Sequence, residues 1–177
     1  GLKWSDGKDV TAADYVFAWN RAASPALSAD YNYMFDVVKG YAEMWETDDS
    51  GEKFVNPDAK LAVEAVDAKT LKVTLNNAVA YWNELLAFPT YFPVREDVVK
   101  NESWATDPST YVCNGAYTME AWEHDSVITL KKNPNYVDAD AVTMETLKCY
   151  LSDDANNMLT NFEKSDWLMI DSVPTNE

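Results

Sequence analysis

The fold of this chain is decided by the stretch Val112-Cys113-Asn114-Gly115-Ala116-Tyr117, which Trp122 and Asn133-Pro134-Asn135-Tyr136 follow. This stretch pairs with the opening segment Leu2-Lys3-Trp4-Ser5-Asp6-Gly7-Lys8-Asp9-Val10-Thr11. In that segment, Ser-Asp-Gly is typical of a tight turn. Thr11 predicts the start of a helix that ends near Pro25, because a threonine side chain can cap free backbone N–H groups.

The remaining pattern alternates short strands with helices. Strand-like alternation predicts strands at 61–66, 71–75, 116–122, 127–132, 146–151 and 167–171. Helical spacing and proline positions predict helices at 81–88, 95–100 and 153–164, the last of them capped by Ser152. Residues 26–58 are expected to be part helix and part loop, with an exposed turn at 48–51. The order of elements indicates an α/β protein.

Composition excludes several functional classes. The chain has 177 residues, enough for one large domain or two small lobes, and its apolar fraction of 47% predicts a globular core. Its net charge is −16, from 30 acidic and 14 basic residues. Nucleic acid would be repelled, since its binding depends on Lys and Arg contacts to phosphate. No apolar run is long enough to span a membrane.

Residues that commonly carry chemistry give weak signals. Cys113 and Cys149 form no CxxC pair, which favours two buried thiols and leaves a disulfide open. His124 lies in a polar turn without a nucleophile elbow. We expect no metal site and no cofactor. Paired carboxylates are compatible with glycoside hydrolysis but favour capping or solvated roles; they are Asp48/Asp49, Glu96/Asp97, Asp138/Asp140 and Asp153/Asp154.

Asn114-Gly115 is the most specific candidate for a binding site. Glycine lets a backbone approach closely, and an asparagine amide both donates and accepts hydrogen bonds. A peptide main chain presents the complementary groups, although Asn-Gly is also common in turns. Tyr31, Tyr33 and Tyr117 could add flat aromatic faces with hydroxyl groups.

The chain resembles the extracellular solute-binding proteins of oligopeptide and dipeptide ABC importers. Three motifs carry the resemblance in order and spacing along nearly the whole chain: residues 2–21, residues 63–94, and residues 114–136 with Trp122. The resemblance implies a periplasmic-binding-protein fold of type II, with mixed sheets, flanking helices and two lobes. It also implies a fragment that lacks an N-terminal segment and a large C-terminal lobe. Its parts would be residues 1–25 in the first lobe, 26–110 as the smaller second lobe, and 111–177 returning to the first.

The resemblance further implies capture of oligopeptides outside the cytoplasmic membrane and delivery to permease subunits, without catalysis. Any membrane contact would come from a lipid anchor outside this segment. The implied ligand-binding residues are Asn114, Gly115, Tyr31, Tyr33 and Tyr136. Three departures bear on the shape of the pocket: Cys113, Val137 and residues 164–167, where the family usually has a small residue, a tryptophan and a different turn.

Three alternatives stay open at this point. The same scaffold could bind another solute, such as an oligosaccharide or a nickel chelate, because aromatic surfaces also suit sugars. The chain could belong to an acidic secreted glycoside hydrolase that uses two of its carboxylates. It could also be a surface module that senses peptides without transporting them.

Overall fold

A computed structural model describes residues 1–47, 49–51, 53–56 and 58–175. The α-helices are α1 (Ala12–Ala23), α2 (Trp82–Leu85), α3 (Glu96–Val99) and α4 (Ala155–Glu163). The strands are β1 (Trp45–Thr47), β2 (Lys53–Val55), β3 (Val63–Asp67), β4 (Thr70–Val73), β5 (Tyr117–Glu123), β6 (Val127–Lys132) and β7 (Thr146–Tyr150). Short 3-10 helices occur at Asn32–Phe35, Ala42–Met44, Pro89–Tyr91 and Ala139–Ala141.

The strands pair in antiparallel fashion with their neighbours in sequence, which short connections permit. β1 pairs with β2, β3 pairs with β4, and the third sheet has the order β5-β6-β7. In the β3–β4 hairpin, Ala65 faces Leu71, and in the third sheet Met119 faces Leu130. A bulge follows Met119 and shifts the register before Ala121. The predicted strands at 61–75 and 116–151 are therefore confirmed, with bounds that differ by one or two residues.

Helix α1 begins where the sequence predicts. The carboxylate of Asp14 accepts hydrogen bonds from the backbone N–H of Thr11 at 2.8 Å and from its hydroxyl at 3.0 Å. This contact stabilises the first turn, where N–H groups lack partners within the helix. The apolar face of α1 is buried at Ala18, Trp19 and Ala23.

The main core lies between α1, the 3-10 helices and the β3–β4 hairpin. Trp19 is at its centre: the indole Nε1 donates to the carbonyl oxygen of Tyr91 at 2.8 Å, and the rings of Phe35, Trp82 and Tyr91 pack around it at centroid distances of 5.3 to 6.2 Å. Leu71 and Val73 pack against this core from β4, as the alternating pattern of that strand predicts. The core thus joins α1 with residues on both sides of position 25. The lobe boundaries at residues 25 and 110 stay a prediction.

Several predicted elements differ from the structure. The helix at 81–88 is reduced to α2, because Pro89 begins a separate 3-10 turn. Helix α4 is capped by Asp154 and not by Ser152: one Asp154 oxygen accepts from the N–H groups of Asn156 and Asn157 at 2.9 and 3.1 Å. Residues 167–171 form no strand, since no described strand lies beside them to pair with.

The region 26–58 contains a hairpin that the sequence pattern did not predict, formed by β1 and β2. Three-residue strands are too short to show alternation. The predicted turn at 48–51 and the Asp48/Asp49 pair include Asp48, which lies outside the described residues. The expectation of two buried thiols is wrong for Cys149, which is exposed because it lies on β7 at the edge of its sheet, whereas Cys113 is half-buried. Both cysteines are free.

Candidate functional site

A cleft of about 580 Å³ lies between the segment that leads into β5 and the 86–94 region. Asn114 and Gly115, two of the five predicted ligand-binding residues, lie on one wall, and Phe92, Pro93 and Val94 lie on another. The remaining lining residues are Tyr15, Leu86, Tyr91, Trp104, Tyr111, Val112, Cys113 and Tyr117. The structure therefore brings the most specific motif of the sequence to a concave, aromatic-rich surface.

The Asn114-Gly115 wall is fixed from behind by the opening turn of the chain. The backbone N–H of Ser5 donates to the carbonyl oxygen of Cys113 at 2.7 Å, and the N–H of Cys113 donates to the Ser5 hydroxyl oxygen at 3.3 Å. These bonds join residues 108 positions apart in sequence. The first sequence motif thus bonds the residue that directly precedes the third motif, beside the cleft.

Two asparagines of the 133–136 motif complete this attachment. Asn133 is fully buried, and its Nδ2 donates to the carbonyl oxygen of Gly115 at 2.8 Å. Its Oδ1 accepts from the N–H of Asn135 at 3.0 Å, while Asn135 Nδ2 donates to the carbonyl oxygen of Ser5 at 3.0 Å. Both asparagines therefore hold the wall in place. The sequence motif alone does not reveal this role, because the partners of both asparagines are distant in sequence.

Gly115 does not occupy the left-handed backbone region that a type I′ Asn-Gly turn requires. An added Cβ at this position would meet nothing within 4 Å, so the space in front of Gly115 is open. The turn interpretation of Asn-Gly is thus not supported by the backbone. The residue leaves its main chain accessible from the cleft.

A charged cluster stands behind the cleft. Arg95 is buried, and its guanidinium contacts Asp6 through Nη1 at 2.5 Å and Asp97 through Nε at 2.8 Å. Hydrogen bonds from Arg95 hold the pKa of Asp97 well below its usual range. The pKa of Asp6 is also lowered: burial raises it, and the hydrogen bonds from Arg95 and from the Lys8 N–H together outweigh that effect. Sequence reasoning did not single out Arg95, since an Arg-Glu-Asp stretch at a helix start is ordinary.

The cleft itself is electrically neutral. Among its described lining residues, none is Asp, Glu, Lys, Arg or His. Burial raises the pKa of the Cys113 thiol and of the phenols of Tyr15 and Tyr111, which disfavours their ionised forms further. Burial also raises the pKa of Tyr91 to about 12. The surface thus offers aromatic faces, one amide and backbone groups.

The other three predicted ligand-binding residues do not line this cleft. Tyr31 and Tyr33 lie at the 3-10 helix Asn32–Phe35, half-exposed, with the Tyr31 ring 5.1 Å from the ring of Phe88. Tyr136 is half-buried, and its N–H donates to the carbonyl oxygen of Asn133 at 3.1 Å. Their part in binding stays a prediction.

A second, larger cavity of about 840 Å³ lies between α1, the β3–β4 hairpin and α2. Asp9 is its one carboxylate among the described lining residues, and it pairs with Lys3 at 2.5 Å.

His124 is exposed in the β5–β6 turn, as predicted, and stacks on Trp122 with 4.6 Å between ring centroids. Across the described residues, no group of three side chains is placed to hold a metal ion, and no helix has the length and apolarity needed to cross a bilayer.

A sequence profile of the bacterial extracellular solute-binding proteins, family 5 (middle region), matches residues 1–177. The chain belongs to this family. The family 5 chain is 38% identical to the oligopeptide-binding protein OppA of Bacillus subtilis over 186 aligned residues, which cover 99% of this chain and 33% of OppA. It is 33% identical to the probable deoxycholate-binding periplasmic protein YgiS of Escherichia coli, with 93% of this chain and 29% of YgiS covered.

The solved structure of Listeria monocytogenes OppA bound to peptide superimposes with a TM-score of 0.79 and 35% identity, covering 93% of the family 5 chain and 32% of OppA. The similarity confirms the expected α/β fold of the type II periplasmic-binding class. The chain spans about a third of the length of these relatives. The family resemblance inferred from the three motifs is confirmed.

Proposed function

We propose that the protein containing this chain is the substrate-binding component of an ABC importer, and that the Asn114-Gly115 cleft forms one wall of its peptide site. The observation that carries the proposal is the neutral, aromatic cleft with an asparagine amide and an open glycine backbone on one side. A peptide main chain alternates N–H and C=O groups, and Asn114 offers partners for both. The aromatic rings suit varied apolar side chains, which agrees with broad peptide specificity.

The three tyrosines outside the cleft are proposed to extend this surface. Tyr31 and Tyr33 expose 50% and 55% of their surface, and their rings lie 6.0 Å apart. Exposed tyrosine pairs combine a flat apolar face with a hydroxyl that can reach a ligand or water. Tyr136 directly follows the asparagines that hold Gly115 and Ser5 in place.

The proposal also covers where the protein acts and which proteins it works with. The OppA relatives of Bacillus subtilis and Escherichia coli are named for binding oligopeptides, and the names of the Escherichia coli OppA and of YgiS place those two proteins in the periplasm. We propose that the protein acts outside the cytoplasmic membrane, delivers oligopeptides to permease subunits, and catalyses no reaction. Lobe closure on the ligand is the expected mechanism of capture.

Isothermal titration calorimetry on the intact protein tests this function. Wild-type protein is titrated with a mixture of synthetic tri- to pentapeptides and, separately, with a β-linked oligosaccharide. We expect heat with the peptides and none with the sugar. Heat with the oligosaccharide alone would overturn the proposal.

Asn114→Ala should weaken peptide binding about tenfold, because one amide that bonds the peptide backbone is lost. Asn101→Ala, an equal truncation in an exposed turn outside the cleft, is the matched control.

A second candidate is capture of an amphipathic solute on the same scaffold. One relative is named as probably deoxycholate-binding, and the neutral aromatic cleft could hold a steroid face as well as a peptide. Sodium deoxycholate is therefore the third titrant. Heat with deoxycholate and none with peptides would favour this candidate.

The glycoside hydrolase alternative finds little support in the site. Hydrolysis of glycosidic bonds requires two carboxyl groups that face each other across the sugar. Among the described lining residues, the smaller cleft has no carboxylate and the larger one has only Asp9, which is already paired with Lys3. A surface module that senses peptides would use the same peptide site. A peptide-uptake assay separates it from an importer component, because only the importer component supports uptake.

A further inference from the structure

Arg95 connects the two walls of the proposed peptide cleft, although its own side chain does not line it. It directly follows Pro93 and Val94, which form one wall. Its guanidinium bonds Asp6, in the turn whose neighbour Ser5 holds the other wall through Cys113. Arg95 therefore joins the backbone of the 92–94 wall to the Ser5-Asp6 turn, which holds the Asn114-Gly115 wall in place.

The surroundings of the Arg95–Asp6 ion pair are suited to holding the two cleft walls at a fixed distance. The side chain of Arg95 is 8% exposed and that of Asp6 is 33% exposed. A guanidinium presents its donors in a rigid plane, so two carboxylates bound at once determine its orientation. Asp97 supplies the second carboxylate from the first turn of α3. Movement of the Ser5-Asp6 turn away from the 92–94 wall would leave the buried Arg95 guanidinium without one of its two carboxylate partners.

The bonds continue from Asp6 to the ligand-facing backbone. Ser5 bonds both the N–H and the C=O of Cys113, and Asn135 bonds the carbonyl oxygen of Ser5. Asn133 then holds Gly115 through its carbonyl oxygen. The path from Arg95 to Asn114 thus consists of one ion pair and short backbone segments, with little freedom for the walls to separate.

We propose that Arg95 is a positioning residue that sets the spacing of the two cleft walls, and hence peptide affinity, through its ion pair with Asp6. This inference rests on the proposed peptide-binding function of the cleft. It assigns a specific role to a charged group in a site whose lining is neutral. The positioning role predicts that Arg95 and Asp6 act on binding as a single unit.

The test is a double-mutant cycle on the intact protein. Affinity for the tetrapeptide Ala-Ala-Phe-Ala is measured by calorimetry for wild type, Arg95→Met, Asp6→Asn and the double variant. Each single variant should bind about tenfold more weakly, since small misplacement of a site is costly. The double variant should bind no more weakly than Arg95→Met alone, because Arg95→Met already removes the ion pair with Asp6. Fully additive losses, or wild-type affinity in Arg95→Met, would overturn the proposal.

Glu96→Gln is the matched control. It removes a carboxylate from the same helix, one that pairs at 3.1 Å with Lys100 on the exposed surface and reaches neither wall. It should bind the tetrapeptide as wild type does. If Arg95→Met does not fold, Arg95→Lys replaces it in the cycle. Lysine keeps the positive charge but cannot bind both carboxylates in one plane. Its affinity for the tetrapeptide should lie between that of wild type and the tenfold weaker value expected for Arg95→Met.

A measurement without peptide separates this inference from the proposed function. Trp104 lines the cleft, so a 5-fluorotryptophan label there reports the wall spacing by fluorine NMR. Arg95→Met and Asp6→Asn should shift the Trp104 resonance in the same direction, and Glu96→Gln should leave it unchanged. If wild type binds no peptide, the proposed function fails, and the Trp104 shift alone decides whether Arg95 positions the walls. An unmoved Trp104 resonance in both variants would refute the positioning role.

Discussion

Gly40 occupies a backbone position that no other residue fits. Its φ is +97°, and an added Cβ would overlap the carbonyl oxygen of Lys60. The chain is held at this contact by hydrogen bonds from Lys39 N–H to Thr74 and from Ala62 N–H to Lys39. We expect Gly40→Ala to lower the free energy of unfolding by about 3 kcal/mol, since strain in the left-handed region adds to a backbone clash. Urea denaturation measures the change.

Gly51→Ala is the control for this prediction. Gly51 has a φ of +85°, but an added Cβ there would meet nothing within 4 Å. Its substitution should cost about 1 kcal/mol, the penalty of the backbone conformation alone. Equal losses for the two variants would show that the clash with Lys60 is relieved by a small movement of the chain.

Asn133 is the buried residue on which the attachment of Gly115 depends. Asn133→Ala leaves the Gly115 carbonyl and the Asn135 N–H without their present partners. We expect a loss of about 2 kcal/mol in the free energy of unfolding, because the substitution empties part of a fully buried position and removes two part-buried hydrogen bonds. Thermal and urea denaturation check this value. Asn101→Ala, which removes one bond in an exposed turn, should change stability by less than about 0.5 kcal/mol.

At the residue scale, the sequence predicts those roles that depend on a residue and its immediate neighbours in the chain. Asn114 and Gly115 were predicted as ligand-facing from their own chemistry, and they lie in a cleft. Gly40, Asn133 and Arg95 were not recognised as special, because each owes its role to a partner far away in sequence. The Asn135–Ser5 bond, for example, joins residues 130 positions apart. A single sequence carries no signal for such pairs.

At the scale of elements, the packing of α1 on the 3-10 helix Pro89–Tyr91 makes stability depend on alkaline pH. The Tyr91 ring is buried against Trp19, its hydroxyl donates to the carbonyl oxygen of Met34, and burial raises its pKa to about 12. The folded state thus favours the neutral phenol. This contribution is fully present below about pH 10, the pKa of an unfolded tyrosine, and is lost as the pH rises through 12.

We expect Tyr91→Phe to be less stable than wild type by about 1 kcal/mol near pH 8, where the hydroxyl bond is intact. The difference should shrink as the pH rises above about 10, because only wild type loses the favoured neutral phenol. Urea midpoints measured along this range give the comparison. Tyr33→Phe, on an exposed ring, should follow wild type throughout. A constant gap between wild type and Tyr91→Phe would contradict the assignment.

Elements with long patterns were predicted well, and short or context-dependent ones were not. Helix α1 and the strands β3 to β7 follow clear apolar periodicity, whereas β1 and β2 have three residues each. Asp154 and Ser152 are equally good caps by residue type. The choice between them depends on where α4 begins. The strand predicted at 167–171 shows that an apolar run needs a neighbour to become a strand: Leu168 and Met169 are 87% and 84% exposed.

At the scale of the whole molecule, buried apolar surface is unevenly distributed. The main core draws its members from residues 15–94, whereas in the fully described strands β5 to β7 Met119 is the one buried side chain. β7 lies at a sheet edge, and four of its five residues are exposed. Segments with few buried apolar contacts open at a lower free energy than the core does. The molecule is therefore expected to unfold in stages.

Native-state hydrogen exchange on the 177-residue chain tests this expectation. Amides of α1 should exchange only through global unfolding, while those paired between β6 and β7 should open at a free energy lower by about 2 kcal/mol. Val38→Ala removes apolar atoms from a fully buried core position, so it should lower the opening free energy of α1 by about 2 kcal/mol. The opening free energy of β7 should stay the same, because the sheet already opens before the core. If β7 amides exchange as slowly as those of α1, or if Val38→Ala lowers both values equally, the sheet and the core unfold as one unit and the staged description is wrong.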